Sequence, residues 1–396
     1  MKPILATLLL LAACKGKRAD APPPSPSPPA PAAAAASDAR ATPDPWAPLA
    51  GYPQVTPVRV IEIPARPDVP RFAVGGPVIA GDLAIVASSQ FGFAAIDYRR
   101  GTLAWTKPAG HHVAPPLVKG TSIVLVADCL TPPAIAAGET LLGCLRVVTT
   151  TGADESYVAI RGAPDAVAEF ASATGPHALY DHGERTIRWR RGDHAVSVDI
   201  VSGLARPAPA APPPLVVGYR GTQWQITQDE GRIVAHSRGK LAWQTEHPYS
   251  ALIGSVWLPE LSPLLRLVNL GAFGDTPEVH LIDMDATGSL RAAVGRPTPG
   301  IGLLGWGASP QGDAAIAVRM DTSLAHDFVV GYAANAMLMW IFRLPEVPRA
   351  DPVGVAVAPD AVVVFHDGDT LSILPELSAP PTAPGATAGS SQNPTP

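Results

Sequence analysis

An all-β fold built of repeated small sheets, a β-propeller, is predicted by three features of this 396-residue sequence. Short runs of about four to seven residues, rich in Val, Ile, Leu and Ala, recur between residues 50 and 377, each bounded by Gly, Pro or Asp turns. No stretch carries a sustained helical period. The strand-turn-strand units return at a spacing of roughly 45 residues, the length of a blade with several strands. Composition agrees: 46 Pro and 36 Gly supply turns, 47% hydrophobic residues supply a core, and 16% charged residues are too few for a coiled coil or a helical bundle.

The amino end reads as an address. Residues 1–13 have the parts of a signal peptide: Lys2, an apolar stretch from Ile4 to Ala13, and small residues ahead of a cysteine. The stretch is about half of the roughly 20 residues a membrane-spanning helix needs. Leu11-Ala12-Ala13-Cys14 resembles the lipobox of bacterial lipoproteins. The resemblance implies acylation of the Cys14 thiol, cleavage before it and acylation of the new amino group. Several acyl chains give stable attachment, each buried methylene contributing about 0.8 kcal/mol. Lys15, rather than Asp, follows the cysteine, which in the enterobacterial convention favours the outer membrane. Residues 14–48 then form a Pro/Ala-rich tether, with ten prolines after Cys14 and the run Ala32 to Ala36. Polyproline II, at about 3 Å per residue, would hold the body clear of the membrane. Residues 378–396 carry no charged side chain and no large hydrophobe and read as a disordered tail.

The body, residues 49–377, follows strand by strand. Val58 to Ile63 comes first and is expected to join the blade containing Val362 to Phe365 and Leu371 to Leu374, closing the ring by pairing both ends of the chain, which removes exposed sheet edges. Leu83 to Ala87, Ser122 to Val126, Val196 to Ile200, Ala314 to Val318 and Ala361 to Phe365 are further strands. Gly76-Pro-Val-Ile-Ala-Gly81 followed by Ile85-Val86 is repeated, at one constant offset, as Pro115-Pro-Leu-Val-Lys-Gly120 followed by Val124-Leu125. A second marker, two strands joined by a turn, ends at Gly101, Gly152, Gly203, Gly239, Gly288, Asn335-Ala336 and Gly368. These turns predict seven four-stranded blades of roughly 47 residues, with eight of about 41 as the alternative.

The clearest copy, Ala95-Ile-Asp97-Tyr-Arg-Arg-Gly101-Thr-Leu-Ala-Trp105, resembles the A-x-D-x-x-T-G-x-x-x-W repeat of PQQ-like propellers at Ala95, Asp97, Gly101 and Trp105, and departs from it at Arg100. Gly239 with Trp243 repeats the second half, and Trp340 keeps the aromatic with the Gly lost. The resemblance implies that Ala and Trp pack between blades while Asp and Gly shape the outer hairpin.

Cys129 and Cys144 bracket a loop inserted between two strands. In an exported chain with two cysteines beyond Cys14, a disulfide is expected; a metal site would need two further ligands that are not nearby. The loop carries apolar Ile135, Leu141 and Leu142, which either form a contact surface or fold onto their own blade. Asp283-Met-Asp285 resembles the start of a calcium loop, but Val294 stands where a bidentate Glu is required, so a hairpin is expected. His111-His112 lies in an inter-blade connection, His366-Asp367-Gly368-Asp369 is a tight turn by composition, and Arg191-Gly192-Asp193 is a turn. No metal and no cofactor are expected.

Formal net charge is −5, with no basic run to follow a phosphate backbone, so nucleic acid is not the expected partner. Quinoprotein dehydrogenases of the PQQ-like group use adjacent cysteines over a quinone; this chain has none, and no nucleophile elbow, zincin helix or phosphate loop is present. Lipobox, tether and repeat together are similar to the BamB family, lipoproteins of the outer-membrane β-barrel assembly machinery. The resemblance implies a non-catalytic, monomeric scaffold, anchored in the membrane by lipid and facing the periplasm, that binds an envelope protein through inter-blade loops. A small-ligand or polymer binder or a quinoprotein-type enzyme using the central funnel, and a surface adhesin, are the alternatives.

Overall fold

The computed structural model describes residues 44–377 apart from 65, 67–73, 111, 132, 211–214, 220–221, 230–231, 247–250, 259–263, 274–275, 286–289, 292–297, 310, 336 and 348–352. Residues 1–43, on which the expected signal peptide, Cys14 and most of the expected tether fall, and the tail from 378 lie outside the described residues. The first strand, β1 (Arg59–Glu62), stands apart from the sheets that follow it in sequence. The first blade is β2 (Val78–Ala80), β3 (Leu83–Ser88), β4 (Gly92–Asp97) and β5 (Thr102–Lys107); the second is β6 (Leu117–Lys119), β7 (Ser122–Ala127), β8 (Thr140–Thr149) and β9 (Asp154–Gly162). The third is β10 (His177–Asp181), β11 (Thr186–Arg191), β12 (His194–Asp199) and β13 (Ala205–Ala208); the fourth is β14 (Leu215–Tyr219), β15 (Thr222–Asp229), β16 (Arg232–Ser237) and β17 (Lys240–Glu246).

A larger sheet follows: β18 (Ala251–Leu258), β19 (Leu264–Phe273), β20 (Thr276–Asp285) and β21 (Leu290–Arg291), with β22 (Thr298–Pro299) also on β20. Then come β23 (Gly302–Ala308), β24 (Ala314–Arg319), β25 (Asp327–Tyr332) and β26 (Leu338–Arg343), and finally β27 (Gly354–Ala358), β28 (Ala361–His366) and β29 (Thr370–Pro375), completed by β1. All the strand pairs within these sheets are antiparallel.

Among the described residues six sheets therefore have four strands and one has five, which corrects the expectation of seven or eight four-stranded blades. The cause is strand length. β20 has ten residues and β21 only two, so Glu278 and Val279 are left with an open edge that Pro299 and Thr298 fill.

The strands are almost continuously apolar because both faces of each sheet are covered. In the first blade, Ala84, Val86, Ala94 and Ile96 pack with Val363, Phe365, Leu371 and Ile373 of the closing blade. Their neighbours in sequence, Ile85, Ala87, Phe93 and Ala95, pack with Ile123, Leu125 and Val148 of the second blade. Alternation along a strand thus selects the neighbouring blade rather than core against solvent. The innermost strands run in ring order: β2 lies beside β6 and β6 beside β10, while β18 lies beside β23, β23 beside β27, and β27 returns to β2. Gly305 and Gly307 allow the close approach of β23 to β27; a Cβ on Gly305 would lie 1.9 Å from the Val353 carbonyl oxygen. The ring closes where β1 pairs with β29, from Arg59 opposite Ile373 to Glu62 opposite Thr370. The fold is an all-β propeller.

Three features depart from the sequence reading. The folded body begins ahead of Leu49: Trp46 and Leu49 are buried against Ile316, Phe328 and Ile341, and the Trp46 Nε1–H donates to Glu346 Oε1 at 2.9 Å. A helix, α1 (Pro164–Ser172), occupies the connection between β9 and β10, where no helical period was expected. Its two buried side chains, Val167 and Phe170, are three residues apart, too few repeats to register as a period. Gly368 turns β28 into β29, the second and third strands of its blade, instead of the third and fourth. The closing blade has no such outer hairpin, because its fourth strand comes from the other end of the chain. Among the described residues no helix is long and apolar enough to cross a membrane.

Candidate functional site

The repeat residues build the seams between blades. In the β4–β5 turn the Asp97 carboxylate accepts the Arg100 N–H at 2.8 Å, and the Asp97 carbonyl accepts the Gly101 N–H at 2.7 Å. Gly101 takes φ +71°, a conformation that glycine adopts without a Cβ penalty. Asp199 and Gly203 reproduce this turn in the third blade. Trp105 sits opposite Ala95 across a bulge that sets Ala104 aside; Trp243 opposite Ala235 and Trp340 opposite Gly331 repeat the arrangement, with Ala242 and Met339 in the bulge. A small residue facing each Trp leaves room for the ring. The Trp105 indole lies over the outer turn of the second blade, where its Nε1–H donates to the Thr150 carbonyl at 3.0 Å and a Cβ on Gly152 would fall 2.6 Å from its Cγ. Arg59 of the closing blade covers Gly101 in the same way and donates to the Arg99 carbonyl. Asn335, Gly239 and Trp243 belong to other turns and seams, so these residues do not converge on one site.

Convergence occurs at one end of the first three blades. Cys129 and Cys144 form a disulfide with Cα atoms 5.0 Å apart, pinning the β7–β8 connection at its base. Leu141 and Leu142 are part of β8, and Leu142 is buried in the core between the second and third blades. They do not form an exposed tip, and Ile135 is half-buried; the exposed large apolar side chain of this connection is Leu130, 51% exposed, beside Cys129 at its base. Next to the disulfide, Gly143 lies against Trp189 of the third blade, 3.2 Å from where a Cβ would stand. Trp189 is tilted against His177, whose ring stacks on His112 at 6.4 Å, and the His112 Nδ1 is 2.7 Å from an Asp128 carboxylate oxygen. Asp128 immediately precedes Cys129, so these contacts form a closed circuit from one cysteine to the other.

His177 is held neutral within it. Burial, with the Arg191 guanidinium and the His112 imidazole beside it, lowers its pKa from 6.5 to about 4. The Arg191 Nε–H donates to His177 Nε2 at 3.1 Å. A neutral imidazole accepts at one nitrogen only, so the Trp189 indole N–H, 3.3 Å from Nδ1, faces a protonated nitrogen and is a packing contact.

Between the first and second blades, below the Leu130 loop, a groove of about 230 Å³ opens on the surface. Its floor is Phe93, Leu125 and Cys144, and its rim carries Lys107, Arg146 and Tyr157. The Lys107 ammonium is 3.0 Å, and the Arg146 Nε 3.7 Å, from the same Asp154 carboxylate oxygen. The Arg146 guanidinium lies 4.9 Å from the Tyr157 ring centre. Among the described residues no three His, Cys, Asp or Glu side chains are grouped to hold a metal ion. Asp283 and Asp285 end β20, and the turn after them, like His111, lies outside the described residues. The groove was missed in the sequence because its cations, Lys107 and Arg146, belong to different blades; the one local signal was the Cys129–Cys144 insertion.

No protein family matches the sequence, and no curated protein does. Solved propellers resemble the fold at low identity. The β-propeller domain of Myceliophteria thermophila Cps50 (Swd1) has a TM-score of 0.47 at 8% identity, covering 80% of this chain and 98% of that one. A chain of the mitotic checkpoint complex has 0.45 at 11%, covering 82% and 92%. BamB from Moraxella catarrhalis has 0.36 at 11%, covering 80% and 96%.

Proposed function

We propose that this protein is a non-catalytic, lipid-anchored scaffold of the bacterial cell envelope that binds a protein partner at the groove between its first two blades. The observation that carries the reading is the groove itself: an open apolar recess, rimmed by two cations and an aromatic ring, beside a disulfide-pinned loop that exposes Leu130. Polar rim, apolar floor and a protruding hydrophobe are the anatomy of a protein-binding patch. Anchoring rests on the lipobox at Leu11–Cys14 and the Pro/Ala-rich segment after it. The finer role, service in outer-membrane β-barrel assembly, rests on the combination of lipobox, tether and propeller that is similar to the BamB family.

Fractionation of cells expressing the wild type and Cys14→Ala tests the anchor. The wild type is expected in the membrane and the variant in the soluble periplasmic fraction; a variant that stays with the membrane overturns lipid anchoring. Purification of the wild type in mild detergent tests the finer role, which fails if no barrel-assembly subunit is recovered with it.

A further inference from the structure

We infer that the groove between the first and second blades takes a protein segment that places a carboxylate beside an aromatic ring. The inference rests on the proposed scaffold function and gives its partner a chemistry. Lys107 and Arg146 are mostly sheltered, with 16% and 22% of their side chains exposed, yet they share a single counter-ion, Asp154, and meet it at the same carboxylate oxygen. Two cations on one carboxylate leave that end of the groove electropositive, and sheltering from water strengthens its pull on a second carboxylate. An Arg guanidinium held over a Tyr ring is also oriented in advance for a planar carboxylate.

The other end differs. Asp128 lines the groove near Cys144, the cross-strand partner of Ala127, and Arg146 lies two residues further along β8, roughly 7 Å away. Asp128 Oδ2 already accepts the His112 backbone N–H at 3.1 Å and its ring N–H at 2.7 Å. The groove is therefore polarised along β8, with its apolar floor between the two ends. A ligand carboxylate belongs at Lys107 and Arg146, and an adjoining aromatic ring belongs over Phe93 and Leu125 under Leu130. The volume of about 230 Å³ suits one aromatic side chain rather than a long peptide.

The probe is N-acetyl-phenylalanine, followed by NMR on the purified full chain, with N-acetyl-phenylalanine amide and N-acetyl-glycine as controls. For so small a ligand a Kd of about 1 mM is expected. Roughly tenfold weaker binding is expected for the amide and for Arg146→Gln, which each remove one charge of the pair. N-acetyl-glycine, lacking the ring, is expected to bind about tenfold more weakly. Leu130→Ser, on an exposed loop that tolerates change, is expected to weaken the probe while leaving the fold intact. Equal binding of acid and amide, or no binding by a folded wild type at several times the expected Kd, overturns the inference. So does a concentration-dependent dimer that Leu130→Ser abolishes, since the groove would then belong to a second copy of this chain. The Cys14→Ala fractionation reads the anchor alone, so failure of this test and failure of the anchoring proposal are distinguishable.

Discussion

The first and second blades begin from one pattern, Gly76 to Val86 against Pro115 to Leu125, and part at a single connection. In the first blade β3 and β4 are joined by Ser89, Gln90 and Phe91, all buried. In the second, β7 and β8 are joined by residues 128–139, with a disulfide at the base and Leu130 exposed. Their strands pack alike, as alternate residues feed alternate neighbouring blades. Strand pattern therefore carries the ring, and a change in one connection carries the site, as is general where a rigid scaffold presents variable loops.

The largest break in this comparison is expected at the outer turns. Gly152→Val forces a side chain into the Trp105 ring at φ +82°, whereas Gly101→Val meets the Arg59 side chain at φ +71°. A rigid indole cannot withdraw as a flexible Arg can. Losses of about 4 kcal/mol for Gly152→Val and about 2 kcal/mol for Gly101→Val are expected in urea unfolding. Equal losses would mean that the two seams are mechanically alike.

Next is the disulfide, which closes a 15-residue separation. Cys129→Ser/Cys144→Ser should lose about 3 kcal/mol by loop-closure arithmetic. Hydrogen exchange should place the change in β7, β8 and the neighbouring Trp189, with the first blade's β3 and β4 unaltered. Loss of protection shared evenly by both blades would contradict an independent, locally pinned loop.

Of the expected site, the disulfide was legible because two cysteines bracketing one inserted loop are a local fact. The exposed residue was not: Leu141 and Leu142 look like Leu130 in sequence, and only the register of β8 against β7 and β9 sets Leu142 into the core. The helix α1 was missed for a similar reason, as nine residues give too few turns to display a period.

A smaller effect depends on pH and lies at His177, in the third blade beside the second. The pKa of His177 is lowered from 6.5 to about 4 by burial and by Arg191 and His112, with Asp128 opposing. The unfolded chain therefore binds its proton first as pH falls. Stability is complete above about pH 6.5, declines as pH falls towards 4, and is level below that. After discounting for partial contact with solvent, about 1–2 kcal/mol is at stake. His177→Gln should remove that slope from unfolding curves between pH 7 and about 4; an unchanged slope would assign it to other groups. Smallest is Leu130→Ser, expected within about 0.5 kcal/mol of wild type in stability, as for an exposed loop residue. A larger loss would show that the loop supports its blade as well as exposing Leu130.

The sequence by itself determined the β-rich runs such as Leu83 to Ala87 and Ser122 to Val126, the turns at Gly101, Gly152, Gly203 and Gly239, and the paired cysteines. Each is written in the residues of one element, as alternation, as a turn composition or as the repetition of a unit. Tertiary structure alone decided that Trp46 belongs to the core, that one sheet takes a fifth strand, and that Lys107 and Arg146 share Asp154 above an apolar floor. These depend on which blade faces which, and a seam between blades joins residues tens of positions apart that no local pattern connects.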